Sequence, residues 1–424
     1  MVLASVADDY YTSEVDDRRT ADCNLEKVEH MDEVIKVMEN IAGRDDEKED
    51  TEKGRLGIMP IDDLVWSVSN YLHTLDYIHL RAVSKRYRAM MNLRRSSSIR
   101  TFKTTDLSPW LVFSDYDRSI YNFVNPLHNN EKYLISIPEM VKGSRICFSK
   151  GGWLLMVNGL TLFFHNPFTR SGIKLPDFPN NRGAPFSGIS FSSLPTSADC
   201  VVFAIKKQLD ASMSIFFIKR GEEHWRCDSF DATSYLPLNR KQMGFEMDLN
   251  NPVFYNGVFY CLDINGNLGV SKQENDNVSW EVLAMVSGPN CGFIYKSYLV
   301  ECEGKLLCVL LGHLGKWVRI FRLNDTQMVW VEVKDLGRHM LCVSNTSSIS
   351  AVAPVSQMEN KIYFPRLHED GILFYSLDTG MYHCVGTTKH SAKDYRDTKV
   401  KLFCSWIEPN WSETSVKSLD WLSI

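Results

Sequence analysis

The chain has 424 residues, 44% of them hydrophobic and 23% charged, so it can bury a substantial core. It contains no uninterrupted apolar run near the roughly 18 residues a membrane helix needs, and its eleven cysteines form no CxxC pair, so neither a membrane span nor a disulfide framework is expected. The net charge of −5 is uneven: residues 1–57 carry 17 acidic and 8 basic side chains, and the remainder is net basic.

Residues 1–55 are read as an acidic, mostly disordered segment. Leu25, Val28, Met31, Ile35, Met38 and Ile41 recur every three or four positions within it, which predicts one amphipathic helix. The opening "MVLASVADDYYTSEVDD" has no basic n-region and no long apolar run. A secretory signal is therefore not expected, and the reading is an intracellular protein of the cytoplasm, the nucleus or both.

Residues 56–95 change character. In "MPIDDLVWSVSNYLHTLDYIHLRAVSKRYRAM", Leu64, Val68, Tyr71 and Leu72 fall on one face of a helix preceded by Pro60. Asp62 and Asp63 lie at its start, where carboxylates suit the helix dipole. "HTLD" breaks the run, with Thr74 or Asp76 placed to cap a second helix. On that helix Leu80, Val83, Tyr87 and Met90 share a face. So small a module buries too little apolar surface to be very stable alone, and a partner's surface is its natural complement. A basic linker, 96–108, follows. Residues 81–103 carry eight Lys or Arg and no acid, which is read as a solvated helix face and linker rather than a nucleic-acid contact.

Residues 109–407 are read as β throughout. Short runs of Val, Ile, Phe, Tyr and Trp alternate with Gly, Asn, Pro and Asp clusters. A hairpin recurs, as in "SIFFIKRGEEHWRCDSF" and "VRIFRLNDTQMVWVEV", and its second arm opens on a bulky residue: Ile173, Trp225, Trp280, Trp330 and Tyr382. Their spacing of about 50–55 residues, with a second turn-and-strand element between hairpins ("GGWLLMV", "NGVFYCLD", "EGKLLCVLL", "ENKIYFP"), gives four strands per unit, the pattern of a propeller blade. About six blades are expected, with "KLFCSWI" near Leu402 closing the ring onto the first strands. Residues 408–424 are left as a C-terminal tail.

Chemistry-bearing motifs are sparse. "LGHLGKW" at Leu311 lacks phosphate-loop spacing and is read as a hairpin turn. The histidines show no metal spacing, "LHED" at Leu367–Asp370 is a polar turn, and no G-x-S-x-G elbow occurs. No catalytic residue, cofactor or metal is expected.

The helical stretch resembles an F-box, through Met59–Pro60, Asp63–Leu64, Val68, Leu72, Leu80, Arg81, Val83, Tyr87 and Arg88. Tyr87 and Ser84 stand where an F-box usually has Trp and Cys. Downstream, "HNPFTRSGIKLPDFP", "YNGVFYCLDINGNLGV", "YLVECEGKLLCVLL" and "LGRHMLCVSNTSSISA" resemble the KIB-type β-propeller of plant F-box proteins. The resemblance implies a mainly β protein, a propeller behind a small all-α F-box module. It further implies that Pro60, Leu64, Val68, Leu72, Leu80, Val83 and Tyr87 bind a Skp-type adaptor, and through it a cullin–RING ligase, while the propeller binds a target protein the sequence does not name. Two alternatives stay open: a propeller scaffold whose diverged F-box engages no ligase, and a propeller hydrolase.

Overall fold

The described residues of the computed structural model lie between 108 and 423. They form a six-bladed β-propeller. Blade 1 contains β1 (Trp110–Ser114), β2 (Ile120–Asn125) and β3 (Glu131–Ser136). Blade 2 is β4 (Arg145–Lys150), β5 (Trp153–Asn158), β6 (Thr161–Asn166) and β7 (Ser171–Lys174). Blade 3 is β8 (Gly188–Phe191), β9 (Val201–Lys207), β10 (Ser212–Lys219) and β11 (Arg226–Asp231). A two-stranded hairpin, β12 (Thr233–Tyr235) with β13 (Gln242–Gly244), is inserted before blade 4.

Blade 4 is β14 (Val253–Tyr255), β15 (Val258–Leu262), β16 (Leu268–Glu274) and β17 (Asn277–Leu283). Blade 5 is β18 (Ile294–Cys302), β19 (Lys305–Gly312), β20 (Val318–Asn324) and β21 (Val329–Val333). Blade 6 departs from the four-stranded expectation. Its inner edge is a hairpin of β22 (His339–Cys342) and β23 (Ile349–Val352), and β22 runs parallel to β24 (Lys361–His368). β25 (Gly371–Ser376) and β26 (Met381–Cys384) complete it, with the short β27 (Lys399–Val400) against β24. Finally β28 (Cys404–Ile407) pairs antiparallel with β1, Leu111 opposite Trp406, so the ring closes as "KLFCSWI" predicts and blade 1 holds strands from both ends of the β region.

Each blade is sandwiched between two others, which explains why its strands are continuous apolar runs rather than half-polar alternations. β19 shows the logic. Leu306, Cys308 and Leu310 enter the core shared with blade 4, whereas Leu307, Val309 and Leu311 enter the core shared with blade 6. Fully burying one such side chain contributes about 1.5–3 kcal/mol. The nine described cysteines are all free thiols, eight of them buried in these cores. Among the described residues no helix is long and apolar enough to cross a membrane.

The 50–55-residue period has a structural counterpart. Trp280, Trp330 and Tyr382 lie on the outermost strands of blades 4, 5 and 6, and Trp225 immediately precedes that of blade 3. All four pack against the core shared with the preceding blade. Trp225 Nε1 donates to Pro176 O (2.9 Å) and Trp330 Nε1 to Gly266 O (2.9 Å), so two of these indoles are also pinned to the blade before. Ile173 is the exception: it occupies the outer strand of blade 2 but faces blade 3, a shift of register that turns it to the other side of the sheet. Trp280 needs Gly269 beneath it, because a Cβ there would lie 2.2 Å from the indole.

Between blades 1 and 2 sits a buried histidine. His165 stacks on Tyr121 with ring centroids 6.2 Å apart, and Tyr121 Oη contacts Met156 Sδ at 3.1 Å. Burial lowers the imidazole pKa to about 4, partly offset by its contact with Ser171 O. The unfolded chain therefore takes up this proton from pH ~6.5 downward, while the folded chain resists until about pH 4. The stability from keeping His165 neutral is complete above pH ~6.5 and is lost as pH falls toward 4, to a total of roughly 3 kcal/mol. Denaturant titrations between pH 7 and 4 should show that slope in the wild type and a shallower one in His165→Gln. Equal slopes would contradict the assignment.

Candidate interaction surface

Pro60, Leu64, Val68, Leu72, Leu80, Val83 and Tyr87, which the sequence offers for adaptor binding, lie outside the described residues, as does the helix expected within 1–55. The described part carries the other half of the question: where the propeller could engage a partner.

Its centre is crossed by hydrogen bonds among blades 1, 2, 3, 4 and 6. The innermost strands carry small hydroxyl side chains, each buried: Ser405 on β28, Ser149 on β4, Ser190 on β8 and Ser297 on β18, with Ser344 and Ser347 in the β22–β23 turn of blade 6. Ser347 Oγ lies 2.8 Å from Ser405 Oγ, 3.1 Å from Trp406 O and 3.5 Å from Ser149 Oγ, and Ser149 Oγ donates to Trp406 O. Blade 4 contributes Asn251 instead. Its Oδ1 accepts from Ile189 N (2.8 Å), and its two amide hydrogens are shared among Cys147 O (2.6 Å), Asn345 O (3.4 Å) and Thr346 O. One side chain thus bonds blades 2, 3 and 6. Blades 2, 4 and 6 are not neighbours, so direct hydrogen bonds among them are possible only where the centre is narrow.

Asn251→Ala would leave several of these backbone groups without a partner, at a cost of roughly 2 kcal/mol once water replaces part of the loss. A chemical denaturation midpoint that did not move would show that the hub carries no load.

With the centre crossed by these bonds, the rims are where another macromolecule would meet the propeller. Strand alternation puts the turns after the first and third strands of a blade on one face, and those after the second and fourth on the other. The first face is largely tied to itself. Lys150 Nζ donates to Ser192 O (2.6 Å), and burial lowers its pKa against the pull of Glu408 and Glu301. Glu408 accepts from Gly151 N (2.9 Å), and Asn410 Nδ2 donates to Gly151 O (2.9 Å). Gly152, at φ +85°, must be glycine, since a Cβ would sit 2.3 Å from that of Asn410. Tyr255 Oη bridges Gly304 O and Asp325 Oδ2, each at 3.1 Å.

On the opposite face several turns expose apolar or charged side chains, although the β15–β16 turn is held by Trp330 and Gly315 of the β19–β20 turn packs against Tyr395. Leu160 in the β5–β6 turn is 42% exposed and Ile264 in the β15–β16 turn 40% exposed. "LGHLGKW" is, as read, the turn between β19 and β20. His313 and Lys316 are exposed there, Leu314 is held at φ +54°, and Gly312 N donates to Trp317 O (2.9 Å). The Trp317 indole lies over Gly312, whose missing Cβ would stand 2.1 Å from Nε1. A non-glycine residue held in the left-handed region is costly and persists only where its surroundings over-determine it. This face offers exposed aliphatic tips and a polar rim of His313 and Lys316 around a half-buried indole, Trp317, whose other side packs on the core between blades 4 and 5. Among the described residues no three His, Cys, Asp or Glu side chains converge as a metal site would require. The sequence signal for these positions was a large apolar residue inside a polar turn, as in "NGLT" and "DINGN", which hairpin reading passes over.

The family model of the KIB1-4 β-propeller matches residues 120–383, most of the ring. The chain belongs to this family, that of plant F-box/kelch propeller proteins. An F-box/kelch-repeat protein of Arabidopsis thaliana is 30% identical over 356 residues, covering 82% of this chain and 93% of the relative. An F-box protein of the same plant is 30% identical over 350 residues, covering 78% and 83%. A second F-box/kelch-repeat protein is 28% identical over 318 residues, covering 71% and 77%. The first of these matches is longer than the KIB1-4 propeller and everything after it, so it runs into the residues ahead of the ring.

Proposed function

We propose that this chain is the substrate-recognition subunit of a Skp–cullin–F-box ubiquitin ligase, its F-box holding the adaptor and its propeller holding a target protein. The observation that carries the reading is the order of parts: an F-box-like stretch ahead of a KIB-type ring, in a match to F-box/kelch proteins that extends beyond the ring. Such a subunit performs no bond chemistry. It raises the effective concentration of target lysines beside a charged ubiquitin-conjugating enzyme. Hydrogen bonds across the centre favour recognition on a rim over catalysis in a central tunnel, and the face of Leu160, Ile264, His313, Lys316 and Trp317 is our candidate for the target. The setting is the cytoplasm, the nucleus or both, where adaptor and cullin operate.

The alternative, a scaffold whose F-box has lost its adaptor, draws on Tyr87 and Ser84 standing in place of Trp and Cys. Affinity capture of the tagged full chain from plant cells separates the two. The ligase reading expects adaptor and cullin to be recovered with the full chain and lost when residues 56–95 are deleted. Recovery of neither by the intact chain, with a known F-box protein succeeding in parallel, would leave the scaffold reading.

A further inference from the structure

Residues after β28 do not trail away from the propeller. A 3₁₀ turn, Val416–Leu419, leads into Trp421, which is fully enclosed and stacks on Phe164 of blade 2 with centroids 6.0 Å apart. Trp421 and Leu419 join the core shared by blades 2 and 3. Blade 3 supplies the clamp. Arg220, buried, donates to Ser418 O (3.0 Å), Asp420 O (2.8 Å), Ser423 O (3.0 Å) and Pro195 O, and its guanidinium carbon lies 5.9 Å from the Trp421 ring centroid. Gly221 N adds a bond to Trp421 O (3.1 Å).

We propose that the cleft between blades 2 and 3 is a peptide-binding groove for a segment that presents one aromatic side chain followed by a tight turn, and that Val416–Ser423 occupies it in cis as a displaceable strap.

Three observations carry this. First, the groove reads its occupant chiefly through main-chain carbonyls and one enclosed aromatic side chain, with Leu419 only partly buried beside it, a mode that fits any segment able to place an aromatic there and fold its carbonyls around Arg220. Second, the strap joins no β-ladder. It holds its own turn through Asp420, whose carboxylate accepts from Leu422 N (3.2 Å) and Ser423 Oγ (3.0 Å), and Leu422 remains 47% exposed. Third, the fit is incomplete: the buried indole N–H of Trp421 finds no acceptor among the described residues. An occupant in cis tolerates that defect because its tether supplies an effective concentration of the order of millimolar. A competing target segment that offered the same contacts with a satisfied aromatic would gain where the strap loses. The proposal extends the receptor reading to a partner class, and its test involves no adaptor, so either can fail without the other.

The test uses a fluorescent peptide of residues 414–424 titrated against the full chain, wild type and Trp421→Ala, by anisotropy. The proposal expects the variant to bind the peptide at least ~10-fold more tightly than wild type, because the strap no longer competes well. The same peptide with Ala at position 421 should bind neither. Hydrogen exchange on wild type gives an independent measure, and the Gly221 amide should open at least ~100-fold more often than amides of β5 and β9. Equal or undetectable peptide binding by both folded proteins would overturn the proposal. If Trp421→Ala fails to fold, exchange decides: Gly221 opening only with the blade cores would make the segment an inseparable part of the core.

Discussion

Truncating Trp406 to Ala is expected to cost about 3–5 kcal/mol, the range for removing a large buried aromatic side chain. The indole is fully enclosed in the core between blades 6 and 1, lies edge-on to Tyr363 at 6.4 Å, and donates from Nε1 to Val343 O (3.1 Å). Its loss leaves a cavity beside the strand that closes the ring and takes the indole donor from Val343 O in blade 6, while the backbone carbonyl of residue 406 keeps the Ser149 and Ser347 hydroxyls. The melting temperature should fall by roughly 10 °C. Trp225→Ala, at a partly exposed position just before an outer strand, should cost less than half as much. A loss under about 1 kcal/mol for Trp406→Ala would contradict ring closure by β28, because a closing strand cannot lose its largest buried side chain so cheaply.

Leu80→Asp should reduce adaptor affinity by at least ~100-fold. Leu80 shares the spacing of Val83, Tyr87 and Met90, the apolar face of the second helix read from the sequence. A carboxylate there is unpaired, either in the module's own core or in the adaptor contact, and burying it without a partner costs roughly 3 kcal/mol or more. At 1.4 kcal/mol per tenfold in affinity, that is about two orders of magnitude. The propeller has cores of its own, so its β circular dichroism and melting should stay as in wild type. Unchanged adaptor affinity in the variant would remove Leu80 and its helical face from the interface.

The ring was legible because its repeat is written in bulky side chains. Trp225, Trp280, Trp330 and Tyr382 seal each outer strand onto the preceding blade, so their period shows in the chain even where no other residue matches. Ring closure was legible for a related reason, since "KLFCSWI" is an apolar run with no unit of its own to pair in. The reversed inner hairpin of blade 6 was not, because parallel pairing of β22 with β24 joins segments that no local pattern links. The axial knot left a fainter trace: a serine within the apolar first strand, as in "ICFS", "GISF" and "CSW". What that serine bonds depends on blades far away in sequence. The strap has no signature of its own in the sequence. Leu419, Trp421 and Leu422 stand in a polar surrounding that reads as tail, and their partner Arg220 lies in a turn some 200 residues earlier. On the face carrying Trp317, sequence reading found the turn but not its exposure.

The central claim, that this chain joins a ligase adaptor to a propeller receptor, is tested most directly by titrating the purified 424-residue chain with a plant Skp-type adaptor in a calorimeter, beside an F-box protein known to bind it. The account predicts a one-to-one complex with a Kd in the micromolar range or tighter. No detectable heat or co-elution from this chain, while the control binds under the same conditions, would contradict it.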